Sequence, residues 1–311
     1  MGRLVDGEWV TDDRGTDSDG RYVRRPTQFR DRIERGGTFP PEPGRYHLYV
    51  AHACPWCHRT MMARKLKGLE DVIGVSFVEP FMGADGWVLP EGADPVFGHG
   101  LIRDVYVSAR GDYTGRASVP VLIDRETKTI VNNESSDIIR MFDEAFESAE
   151  GAVTLFPEDL ADVVEAQIAA NYDAVNNGVY RAGFAGSQAA HEEAVTALFA
   201  RMDALEELLA TSRYLCGERL TAADVCLFPT LYRFDAVYAT HFKCNLRRLV
   251  DYEHLWAYTR DIYQVLGVAE TCVMSEIKEH YYRSHESINP RRLVPLGPVL
   301  DFDAPHHRQR R

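Results

Sequence analysis

Lysine is nearly missing from this chain. Only Lys65, Lys67, Lys128, Lys243 and Lys278 carry it, so 30 of the 35 basic residues are arginine, a bias that reads as a GC-rich coding genome. Positive charge is short altogether. The formal net charge of −12 argues against nucleic acid or an anionic membrane as the main partner. No apolar run approaches the ~20 residues that cross a bilayer, and the start Met1-Gly2-Arg3-Leu4-Val5-Asp6 lacks the apolar core of a signal peptide. The six cysteines have no regular spacing and form no disulfide framework. A second Cys-x-x-Cys pair at zinc-ligand spacing is missing too, so no metal is expected. These absences leave a chain expected in the cytoplasm, with a small molecule as substrate.

At 311 residues, 45% of them hydrophobic and 26% charged, the chain has room for two soluble domains with separate cores. The expected layout is an irregular N-terminal extension over 1–44, a first domain over 45–150 with an insertion at 80–110, a helical domain over 151–283, and a mobile tail over 284–311. Tyr46 to Val50 reads as a short apolar strand, 55–67 as a helix and Val72 to Val78 as a second strand. After a Gly- and Asp-rich excursion, 118–124 and 128–131 read as a hairpin, and Asn132-Asn133-Glu134-Ser135-Ser136-Asp137 opens a helix. The order β-α-β then β-β-α is that of a thioredoxin-like domain. In that setting Val119-Pro120, at the start of the third strand, is expected to be cis. From Pro157 onward apolar residues recur every three or four positions, first at Leu160, Val164, Ile168, Tyr172, Val175 and Val179, then at Ala194, Leu198, Met202, Leu205 and Leu209. Thr221-Ala222-Ala223-Asp224 has the form of a capping box, with Leu220 and Val225 at staple positions.

Chemistry concentrates at Cys54-Pro55-Trp56-Cys57. Proline suits the first helical turn because its missing N–H would be unpaired there, so Pro55 puts Cys54 at the N-cap. The sulfur then faces free amides and the positive end of the helix dipole. That placement, with help from Arg59 if it folds back, favours thiolate over thiol and depresses the pKa below that of free cysteine. A thiolate at neutral pH attacks sulfur. The other cysteines read as small buried hydrophobes.

A thioredoxin-like half joined to a helical half with this capping box resembles a glutathione transferase. The closer resemblance is to the Xi class, the glutathionyl-hydroquinone reductases. It rests on Cys54-Pro55-Trp56 with His58-Arg59-Thr60, on Asn132-Asn133-Glu134-Ser135-Ser136, on Asn176 to Ala185, on His280-Tyr281-Tyr282-Arg283-Ser284-His285 and on Ile288-Asn289-Pro290. It covers about residues 40–300. The fold it implies is an α/β thioredoxin-like N-terminal domain plus an all-α transferase C-terminal domain, in a homodimer. The activity it implies is reductive removal of a thiol from a quinol thioether through a Cys54 mixed disulfide. Tyr180 and one of Tyr281 or Tyr282, with Tyr281 preferred, match the acids that protonate the departing carbon. Trp87, Arg103, the backbone of Val119, Glu134 and Ser135 match the thiol-binding site. Glutathione is the implied co-substrate, with mycothiol open as an alternative because some GC-rich lineages use it. One departure stands out: the family commonly has alanine where this chain has Cys57. A glutaredoxin-like dithiol disulfide reductase using Cys54 and Cys57 therefore stays open, and, because transferase-like folds are reused as ligand-carrying subunits, so does a non-catalytic binding protein.

Overall fold

A computed structural model describes residues 2–11 and 15–308. Contacts divide the chain into two compact units. The first holds Pro26–Ala152, Val273–Val294 and the N-terminal strands; the second holds Gly15–Arg25, Val153–Cys272 and the chain from Pro295.

The first unit begins with an antiparallel pair, β1 (Arg3–Val5) and β2 (Glu8–Val10). Its two loop residues, Asp6 and Gly7, have φ of 48° and 81°, the pattern of a type I′ hairpin turn, which Asp-Gly favours. The extension expected to be irregular thus carries a hairpin. It also feeds the core, since Phe29, Ile33 and Phe39 are buried.

The main sheet consists of β3 (Tyr46–Val50), β4 (Gly74–Phe77), β5 (Val121–Asp124) and β6 (Thr129–Asn132), in the order β4-β3-β5-β6. β3 runs parallel to β4 and antiparallel to β5, which pairs antiparallel with β6. All five residues of β3 are buried, as a central strand covered on both faces requires. α1 (Pro55–Leu66) crosses from β3 to β4 and packs against α3 (Ser135–Glu144). The Val119–Pro120 bond is cis.

The excursion after β4 is ordered. Asp94 accepts the amides of Val96, Phe97 and His99 at 2.9, 3.1 and 2.9 Å and the Tyr49 hydroxyl. The neck is closed by Leu89 N–H to Gly100 carbonyl at 2.8 Å, and α2 (Ile102–Ala109) follows.

The second unit contains α4 (Ala161–Asn171), α5 (Gly178–Gly183), α6 (Gln188–Leu209), α7 (Ala222–Arg233) and α8 (Glu253–Tyr263). A π turn, Tyr172–Asn176, joins α4 to α5, and another, Phe234–Tyr238, ends α7. The Thr221/Asp224 box caps α7 as the sequence predicts: the Thr221 amide donates to Asp224 at 2.8 Å.

Two assignments near the C-terminus need correction. α9 (Met274–Ser284) belongs to the first unit and not to a helical domain reaching residue 283; periodicity marks a helix but does not say what it packs on. The tail expected to be mobile is docked at two points. Phe302 packs among Tyr232, Trp256 and Tyr263, and the Arg308 guanidinium donates to the carbonyls of Leu209, Ser212 and Arg213. The last three residues lie outside the described ones.

Candidate active site

Cys54 is the N-cap of α1, with φ −79° and ψ 121°, and Pro55 occupies the first turn. Its amide donates to the Ala51 carbonyl at 3.1 Å, closing a tight turn from Ala51 to Cys54, and its carbonyl accepts the His58 amide at 3.0 Å. Cys54 is partly exposed, and its sulfur lies 3.5 Å from the Val119 carbonyl. Cys57 is fully buried. The Arg59 guanidinium stacks on Trp56, 4.4 Å from the ring centre.

Glu134 caps α3 and accepts the Ser136 amide at 3.4 Å, while its other oxygen accepts the Thr27 hydroxyl at 3.2 Å. Ser135 is buried beside it. The two preceding asparagines hold this corner. Asn132 accepts the Glu134 amide at 2.7 Å and donates to the Asp31 carbonyl, and Asn133 accepts the Phe29 amide and donates to the Tyr106 hydroxyl. The N-terminal extension is thereby pinned to the start of α3.

Trp87 is buried and stacks on His280 of α9, with ring centres 4.8 Å apart and planes at 17°. Arg103, in the first turn of α2, pairs with Asp85 at 3.1 Å and lies over Trp9. Tyr281 and Tyr282 are both buried on α9. The Tyr281 ring meets His280 and His285 edge-on.

Tyr180 lies in the second unit, on α5, among the rings of Phe184, Tyr238 and Phe242. The close fit depends on Gly183, where an added Cβ would stand 2.1 Å from the Phe242 ring. Asn176 anchors the preceding π turn by donating to the Cys226 carbonyl and to Thr230.

Within the first unit, then, Cys54 and Val119 are neighbours, Glu134 and Ser135 share a helix start, and Trp87 touches the helix that carries Tyr281. Sequence reasoning passed over His52, Glu276 and His280. His52 donates from Nδ1 to Glu276 of α9 at 2.9 Å, and His280 bonds the Pro80 carbonyl at 2.9 Å. A histidine two residues ahead of the nucleophile was a usable signal; its partner was not. Among the described residues no group of three or more His, Cys, Asp or Glu could hold a metal, and no helix is long and apolar enough to cross a membrane.

Known proteins with this architecture decide the family. The model of the glutathione S-transferase N-terminal domain matches residues 53–145 and that of the C-terminal domain matches 188–261. A solved Xi-class transferase from Natrialba magadii superposes with a TM-score of 0.93 at 48% identity, over 99% of this chain and 96% of its own. This chain belongs to the Xi class of the glutathione transferases. Two curated relatives of this Xi-class chain are glutathionyl-hydroquinone reductases. YqjG of Escherichia coli is 44% identical over 99% of this chain and 98% of its own length. PcpF of Sphingobium chlorophenolicum is 46% identical over 96% and 97%. YqjG has been solved with glutathione bound, and that structure superposes on this one with a TM-score of 0.87 at 44% identity, covering 99% of both chains. The thioredoxin-like unit of this transferase is therefore the half that carries Cys54, and the helical unit the half that carries Tyr180.

Proposed function

We propose that this Xi-class transferase is a glutathionyl-hydroquinone reductase, an enzyme that removes glutathione from a quinol thioether through a Cys54 mixed disulfide. The observation that carries the reading is a partly exposed thiol at the N-cap of α1, beside the Val119 carbonyl, in a chain matching two such reductases over nearly its whole length.

The Cys54 thiolate attacks the thioether sulfur. A sulfur–sulfur bond forms and the carbon–sulfur bond breaks, sending its electron pair to the ring carbon. That carbon takes a proton and hydroquinone leaves. A second glutathione thiolate then attacks the mixed disulfide, releasing glutathione disulfide and regenerating Cys54 as the leaving thiolate. Carbon leaves sulfur poorly unless protonated, so the first step needs an acid. Tyr180 and Tyr281 are assigned that role, with Tyr282 the alternative to Tyr281. Trp87, Arg103, the backbone of Val119, Glu134 and Ser135 are assigned to the thiol. The α3 amides and Ser135 suit a carboxylate, and Glu134 suits the γ-glutamyl ammonium. That pairing favours glutathione over mycothiol, which has no γ-glutamyl group. The proposed state is a homodimer in the cytoplasm.

Release of hydroquinone from a glutathionyl conjugate, followed by chromatography with glutathione as reductant, tests this reading. Cys54→Ser should abolish release. Tyr180→Phe and Tyr281→Phe should lower kcat by roughly 10²-fold or more while keeping thiol affinity; unchanged kcat in both would refute the assignment. Cys57→Ser should retain turnover, because a fully buried thiol is poorly placed to resolve the mixed disulfide. Loss there would move the enzyme to the dithiol class. Calorimetric titration with both thiols decides the co-substrate, and mycothiol binding without glutathione binding would overturn the choice.

A further inference from the structure

His52 stands in the tight turn that presents the nucleophile. The Cys54 amide closes that turn on the Ala51 carbonyl at 3.1 Å, so His52 and Cys54 share one hydrogen-bonded turn. Its imidazole is held from two sides. One face stacks on Phe77, the last residue of β4, with ring centres 4.0 Å apart and planes at 16°. On the other side Nδ1 meets the Glu276 carboxylate at 2.9 Å, an acceptor strong enough to keep the proton on that nitrogen. Both side chains are mostly buried, 17% and 32% exposed, so little water competes for this hydrogen bond.

Glu276 lies on α9, five residues before Tyr281, a rise of about 7.5 Å along the axis. The far half of α9 is tied elsewhere: His280 bonds the Pro80 carbonyl and stacks on Trp87, and the Met82 amide donates to Ser284 at 3.0 Å. Those ties reach the excursion. The Glu276 tie reaches the turn of Cys54.

We infer that His52 and Glu276 form a positioning pair for carbon–sulfur cleavage, fixing the register of the Tyr281-bearing helix against the turn that presents Cys54. The inference rests on the proposed role of Tyr281. Neither residue touches the reacting atoms in this scheme; each acts through another. Thioether cleavage needs nucleophile and acid held together, whereas reduction of a glutathionyl mixed disulfide expels a thiolate and needs no carbon acid.

Two substrates therefore separate the roles. Glu276→Ala should lose kcat on a glutathionyl hydroquinone by about tenfold, the scale of a slightly misplaced catalytic group. The same variant should keep its KM for glutathione and its turnover of the mixed disulfide of glutathione and 2-mercaptoethanol. Glu276→Gln, which still accepts from Nδ1, should recover most of the loss. Hydrogen exchange across residues 274–284 should quicken in Glu276→Ala. If Glu276→Ala fails to fold, His52→Phe keeps the stack on Phe77, removes the nitrogen and carries the same readouts. Parallel loss of both activities, an unchanged kcat on the thioether, or unchanged exchange in α9 would each overturn the inference. Wild-type protein that reduces the disulfide but not the thioether would refute the proposed function instead, and α9 exchange would still read the tie.

Discussion

Of the six thiols, three are held as thiols by their surroundings. Burial pushes Cys244 and Cys272 up to about 12 and raises Cys216. Cys54, partly exposed at a helix N-terminus, is placed for the opposite behaviour. Iodoacetamide at neutral pH should therefore label one cysteine per chain rapidly, faster than free cysteine, and peptide mapping should locate it at Cys54. Comparable labelling of Cys244 or Cys272 would contradict this. The residue scale is also where the sequence was most readable, because a proline next to a cysteine is a local fact that fixes the cap by itself. His52 and Glu276 are 224 positions apart. No local pattern pairs them, so the tie came only with the fold. Asn132 and Asn133 fall between these cases: their segment was read as a helix start, but their grip on the N-terminal extension was not.

Among the elements, α7 shows how much one local motif can carry. Asp224 is fully buried and accepts the amides of Thr221 and Leu215 and the Tyr258 hydroxyl at 2.8, 3.0 and 2.7 Å. Burial raises its pKa despite those bonds. Asp224→Ala removes the acceptor of four donors, the Thr221 hydroxyl included, and should cost about 3 kcal/mol, read as a fall in the thermal midpoint, while Thr221→Ala should cost about 1 kcal/mol. A smaller effect for Asp224 than for Thr221 would refute the hub role. The box was legible because all its parts lie within four residues. α2 was not, since Leu101 precedes it where a Ser, Thr or Asp cap would have signalled a start. The β1–β2 hairpin was overlooked although Asp6-Gly7 announced it. The docked tail was hidden by composition: a Pro-rich, basic segment reads as mobile, yet Phe302 finds an aromatic pocket and Arg308 three carbonyls.

Across the whole molecule, each unit carries a buried histidine that resists protonation. Burial lowers His47 in the first unit and His241 in the second from 6.5 to about 4. An unfolded chain takes up these protons near pH 6.5, the folded chain only near 4, so acid favours unfolding between the two values. The stability they contribute is present above pH 6.5 and is lost as pH falls toward 4. Thermal midpoints should drop across that window, and His47→Gln should flatten part of the drop; an unchanged slope would remove His47 from the account. The threading of the chain through the two units has a genetic consequence as well. A reading frame interrupted just after Cys272 would keep both stretches that mark the family, 53–145 and 188–261, and its product would still be classed as a transferase. That product would have lost α9, and with it Glu276 and Tyr281, so it would carry the nucleophile without the helix assigned to deliver the proton.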